Sequence, residues 1–217
     1  MVVSFYNLHS KNIKLTKNQE VDMKTTAIFS ILVCLILAIS VSYNLAQDRN
    51  QENQEQNGQQ QASEIIQDWP EVAQKAAQSM LDKYGEPDGV TNDRIHWNEA
   101  GDWGFTEVRS EEIDHNFPMP HKDVLYQEID YQVAPEMYST IVQYDGSVIM
   151  ERTKGTIAAR CDKEGANYLA INLTHEIASG EREIEEARQF YAETMKNMMM
   201  QGESSEYLEG FVFDVPE

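Results

Sequence analysis

Cysteine is nearly absent from this chain: 217 residues hold two, Cys34 and Cys161. Cys34 lies inside an apolar run, so the remainder carries a single thiol, forms no internal disulfide and must rest on a packed core. Missing too are a Cys-x-x-Cys pair, a His-Glu-x-x-His helix, a Gly-x-Ser-x-Gly elbow and a glycine-rich phosphate loop. These absences remove the familiar dithiol, zinc-protease, serine-hydrolase and nucleotide-binding signatures. No internal repeat is present.

Positive charge is the next scarcity. Seventeen Lys and Arg face 37 Asp and Glu, a net charge of −20. Setting aside residues 1–46, which hold four basic and two acidic residues, leaves 13 against 35, or −22. Such a surface repels phosphate backbones and anionic headgroups, which excludes nucleic acid as a partner and leaves proteins, small molecules and cations.

There is one long hydrophobic run, from Thr25 to Ala46, with the uncharged core AIFSILVCLILAISV. Lys11, Lys14, Lys17 and Lys24 precede it and only Arg49 follows closely. By the positive-inside rule the N-terminus stays cytoplasmic and the rest crosses, whether the run is a cleaved signal peptide or a membrane anchor. Residues 1–22 read as an upstream extension before a conventional start at Met23, and residues 23–46 as the signal or anchor. Contact with the membrane is expected only through this segment. Val33 before Cys34 and the apolar Leu35–Leu37 after it do not fit a lipid-attachment site, so Cys34 is read as part of the run.

Residues 47–62, QDRNQENQEQNGQQQA, contain no aliphatic side chain larger than alanine and read as a disordered tether. Residues 63–217 are then one domain, extracytoplasmic, in a bacterial periplasm or on the outer face of a membrane. Within it, Asp68-Trp69-Pro70-Glu71 opens a helix with Asp68 as cap, and Trp69, Ala73, Ala76, Ala77, Met80 and Tyr84 recur at helical spacing up to Gly85. The phrase YGEPDGV that follows resembles one found in several small bacterial envelope domains; it implies no residue role.

Arg94–Glu99 and Trp103–Val108 read as a β-hairpin, Asp123–Val133 as a further strand, and Ser147–Arg152 with Thr156–Cys161 as a second hairpin. Helices are expected over 135–144, from an Asp162 cap through Ile177, and over 183–200, with EGFVFDV as a closing edge strand. The sum is an α+β fold: a mainly antiparallel sheet packed by an N-terminal helix and a C-terminal helical pair.

The densest chemistry is HNFPMPHKD. His115, His121 and Asp123 offer imidazole and carboxylate donors, the pairing that holds zinc, copper or nickel, on a loop stiffened by Pro118 and Pro120. His96 is a further donor if the fold brings it near, and Asp114 or Asp123 can orient a ring or ligate. A divalent metal is therefore the cofactor this sequence can hold, and a metal-binding protein or metal-dependent hydrolase is one reading.

The principal reading, to which the metal one is the alternative, is a non-enzymatic binding or structural domain of the cell envelope. It would present Trp97, Trp103, Phe117 and Met119 as a rigid contact surface for a protein or small ligand. A third is a thiol-based factor using Cys161, which ends a strand just before a helix N-terminus. Glu128 and Asp130 share one strand face, Met195 and Met198–Met200 crowd a helix end, and Asn172-Leu173-Thr174 fits the glycosylation sequon inside an expected helix.

Overall fold

The structure, a computed structural model, describes residues 58–215. The apolar run at 25–46, the upstream residues and most of the expected tether lie outside the described residues. Among those described, no helix is long and apolar enough to cross a membrane. Residues 58–62, the end of the expected tether, are instead part of a helix over 58–66 (α1), and Ala62 is fully buried. Ordering therefore starts earlier than composition indicates, because Ala62 and Ile66 face the same core as α2.

The chain continues through α2 (Glu71–Tyr84), β1 (Gly89–Val90), β2 (Arg94–Ala100), β3 (Trp103–His115) and β4 (His121–Asp130). A 3-10 turn (Pro135–Met137) then leads to α3 (Tyr138–Tyr144), β5 (Val148–Glu151), β6 (Thr156–Cys161), α4 (Glu164–Ser179), α5 (Ile184–Gln201) and α6 (Glu206–Glu209). The six strands form one antiparallel sheet in the order β1-β2-β3-β4-β6-β5. This is the α+β domain expected, with helices flanking the sheet.

Register explains which residues are buried. The row Trp97, Thr106, Gln127 and Ala159 crosses the sheet on the face covered by α2 and α4, whereas His96, Glu107, Tyr126 and Arg160 form the next row on the opposite face. The helix-covered face carries two cores. Ile95, Trp97, Val108 and Leu125 pack with α1 and α2, and Trp103, Ile129, Ile157 and Ala159 pack with α3, α4 and α5.

Between the two cores runs a polar seam. The Glu164 carboxylate accepts from the Trp103 indole at 3.0 Å and the Gln127 amide at 2.9 Å, and is also bonded by Lys83 and Tyr84. Asn167 donates to Gln127 Oε1 and to the Leu125 carbonyl. A partly buried carboxylate is tolerable here because four donors meet it.

Several local expectations are corrected. Trp97 and Trp103, candidates for a contact surface, are 3% and 1% exposed. Both fall on the helix-covered face, where burying their large apolar area is favourable and their N–H groups find partners in Gly85 O and Glu164. Asp68 does not cap α2, whose N-cap position is Pro70, nor does Asp162 cap α4, whose N-cap position is Lys163. The terminal EGFVFDV forms no strand. Instead Asn172 holds it, donating to the carbonyls of Tyr207 and Gly210 and accepting from the Val212 amide. That buried side chain is fully employed, so its sequon is a coincidence of sequence.

Candidate metal centre

The site forms where β3 and β4 meet at their loop. Between Val108 and Ile113 the strand β3 advances five residues while β4 moves only from Leu125 to Asp123. An unbroken register would set His115 against Pro118; the bulge sets it directly against His121. The ring centroids of the two histidines are 4.8 Å apart. Asp123 lies two residues beyond His121 on the same strand face, so three donors converge.

Each ring is held by its other nitrogen. His121 Nδ1 lies 2.9 Å from the Met119 carbonyl, which can only accept, so Nδ1 carries a proton and a neutral ring offers its lone pair at Nε2. His115 Nε2 lies 3.3 Å from Asp145 Oδ1, which likewise assigns the proton to Nε2 and the lone pair to Nδ1. His121 Nε2 faces Asp123 Oδ1, and His115 Nδ1 lies between that oxygen and the Ser147 hydroxyl, which is 3.2 Å away. Asp123 Oδ1 is 3.2 Å from His121 Nε2 and 3.4 Å from His115 Nδ1. That oxygen is buried and accepts no hydrogen bond, while its companion Oδ2 is bonded by the Ser147 hydroxyl.

A metal with bonds of about 2.0–2.2 Å to nitrogen and oxygen in tetrahedral geometry places its ligands about 3.4 Å apart. The two distances at Asp123 Oδ1 match that edge; the three donor atoms, one each from His115, His121 and Asp123, are spread over as much as 4.8 Å, so the two imidazole nitrogens would draw closer together to share one ion. Asp145 behind His115 and the Met119 carbonyl behind His121 are the outer partners that fix ligand rings in metal sites.

Electrostatics follow from this proximity. The Asp123 and Asp145 carboxylates beside His115 raise its pKa to about 9. For His121 burial opposes the charge, yet the neighbouring Asp123 carboxylate and Cys161 outweigh it and the value rises to about 11. Burial would lift Asp123, but His115, His121 and the Ser147 hydroxyl hold it well below the usual carboxylate range. The metal-free site is therefore two imidazolium rings around one carboxylate, touching it without forming well-aligned hydrogen bonds.

Beside the site opens a cavity of about 230 Å³, walled by Met119 from the loop, His121 from β4, Cys161 from β6, and Tyr191, Met195 and Met199 from α5. Met119 is 42% exposed at its edge. Phe117 is not presented outward. It packs against Tyr144 and Tyr191, with the Arg188 guanidinium 3.9 Å from its ring centre, and so anchors the loop to the core.

Cys161 is 4% exposed and burial pushes its thiol pKa up, opposite to what a reactive nucleophile needs. His96 does not join the cluster, since it stands on the opposite sheet face beside Phe105. Asp114 pairs with Lys122 instead of a histidine. Glu128 is engaged by Tyr126, Lys154 and Thr156, and is not a free cation ligand beside Asp130.

Nothing in the residue order marks Asp145 and Ser147 as members of this cluster. They lie in the turn between α3 and β5, and Asp145-Gly146 carried only the signal of a helix stop. Comparison with known protein families, with curated proteins and with solved structures finds no match to this chain.

Proposed function

We propose that this chain is a metal-binding domain working outside the cytoplasm, holding one zinc-class transition ion through His115, His121 and Asp123. The observation that carries the reading is Asp123 Oδ1, buried, accepting no hydrogen bond and set at tetrahedral edge lengths from two imidazole nitrogens whose rings are held from their other side. The strongly acidic surface favours approach of a cation. The lysine-flanked apolar run at 25–46 supports the extracytoplasmic setting.

Binding fits the site better than hydrolysis. A metal hydrolase needs a free base beside the open position. Here Asp145 is occupied by His115 and by the Ser147 amide, and Asp162 is paired with Lys163. Native mass spectrometry of the full chain supplied with zinc tests the reading. One retained ion, lost when His115 and His121 are both replaced by alanine, is the expected result; a chain that retains none, or retains it equally in the double variant, refutes it.

A further inference from the structure

We infer that Cys161 is the fourth donor of the centre, and that the metal it serves is a thiophilic ion such as zinc or cadmium, not magnesium, calcium or manganese. The inference rests on the His115/His121/Asp123 reading and narrows it. Cys161 pairs across the sheet with Leu125, two residues along β4 from Asp123 and on the same face. Its Sγ is 3.5 Å from His121 Nε2. A tetrahedral ion with a bond of about 2.0–2.1 Å to nitrogen and about 2.3 Å to sulfur sets those two atoms about 3.6 Å apart.

The position is lined to suit a soft ion. Cys161 stands in the cavity wall together with the thioether side chains of Met119, Met195 and Met199. Sulfur donors bind soft and borderline ions and discriminate against oxygen-seeking ones. The sign that a ligand belongs here, shared with the reading this rests on, is Asp123 Oδ1, which is 2% exposed, accepts no hydrogen bond and faces the same His121 nitrogen that the sulfur faces; the sulfur also lies 3.4 Å from Asp162 Oδ1. Loading replaces the thiol S–H bond by a metal–sulfur bond. The proton leaves to solvent, and no oxidant or reductant is involved.

Cobalt(II) added to the full chain provides the test. Tetrahedral cobalt shows ligand-field absorption in the visible, and a cobalt–thiolate bond adds a charge-transfer band in the near ultraviolet. Wild type and Cys34→Ser are expected to show both. Cys161→Ser is expected to keep the visible absorption, lose the near-ultraviolet band and bind cadmium at least about tenfold more weakly. Visible absorption without a near-ultraviolet band in wild type overturns the assignment of Cys161 and leaves the His–Asp centre standing, and this spectrum needs no variant to fold. A near-ultraviolet band that survives in Cys161→Ser also overturns it. Absence of visible absorption in wild type overturns the centre itself.

Discussion

His115 and His121 face each other directly across the β3–β4 pair, although they are the first and last ordered strand residues on either side of a five-residue loop. The β3 bulge creates that pairing, and Phe117 keeps it by fastening the loop between Tyr144, Tyr191 and Arg188. Replacing Phe117 with alanine is expected to loosen the donors without removing any. Truncating a well-packed aromatic costs about 3–5 kcal/mol when fully buried and less at this half-buried position. Thermal unfolding should shift down, and zinc affinity should fall alongside it.

Asp123 is the charge on which both rings depend. Asp123→Asn keeps the shape but removes the anion, leaving two cationic rings with Asp145 alone as counter-charge. The metal-free chain is expected to lose about 1–3 kcal/mol, the range for a buried group deprived of its partner. Urea unfolding at neutral pH measures it, and an unchanged midpoint would contradict the pairing.

Acidity should act oppositely on empty and loaded protein. Folding raises the pKa of His115 to about 9 and of His121 to about 11, so the folded metal-free chain binds more protons than the unfolded one above about pH 6.5. Their contribution to stability is whole below that pH and is lost as pH climbs through 9 toward 11. Asp123, held low, contributes above the usual carboxylate range and loses its contribution as pH falls below it. With zinc present the trend from pH 6.5 to 9 reverses, because protons and metal compete for the same nitrogens. Melting curves at several pH values, with and without zinc, should cross.

Asn172 ties the C-terminal segment to α4 through both ends of its amide. Asn172→Ala is expected to free residues 205–215, seen as early proteolytic cleavage there while the sheet core resists. Loss of three partly buried hydrogen bonds, each about 0.5–1.5 kcal/mol net, sets the scale.

Much of this fold is legible from residue order. Turn residues and alternation locate both hairpins, and helical spacing locates α2, α4 and α5 to within a few residues. What residue order does not carry is which face of a strand meets a helix, and so Trp97 and Trp103 read as surface until the register buries them. The composition of 58–62 likewise conceals that Ala62 meets α2. Of the candidate centre, His115, His121 and Asp123 stand together in HNFPMPHKD, but their convergence depends on a bulge whose residues, Arg109–Glu112, carry no glycine or proline to mark it. Asp145, Ser147, Cys161 and Tyr191 arrive from three other places in the chain, and only folding puts them beside the histidines.

The most direct test is a calorimetric zinc titration of the full chain near pH 7, repeated in buffers of different ionisation heat to count protons. One ion per chain is expected and, because both histidines are protonated in the empty site, release of about two protons or more on binding. Uptake that does not saturate at one ion, or that persists unchanged in Asp123→Ala, would contradict it.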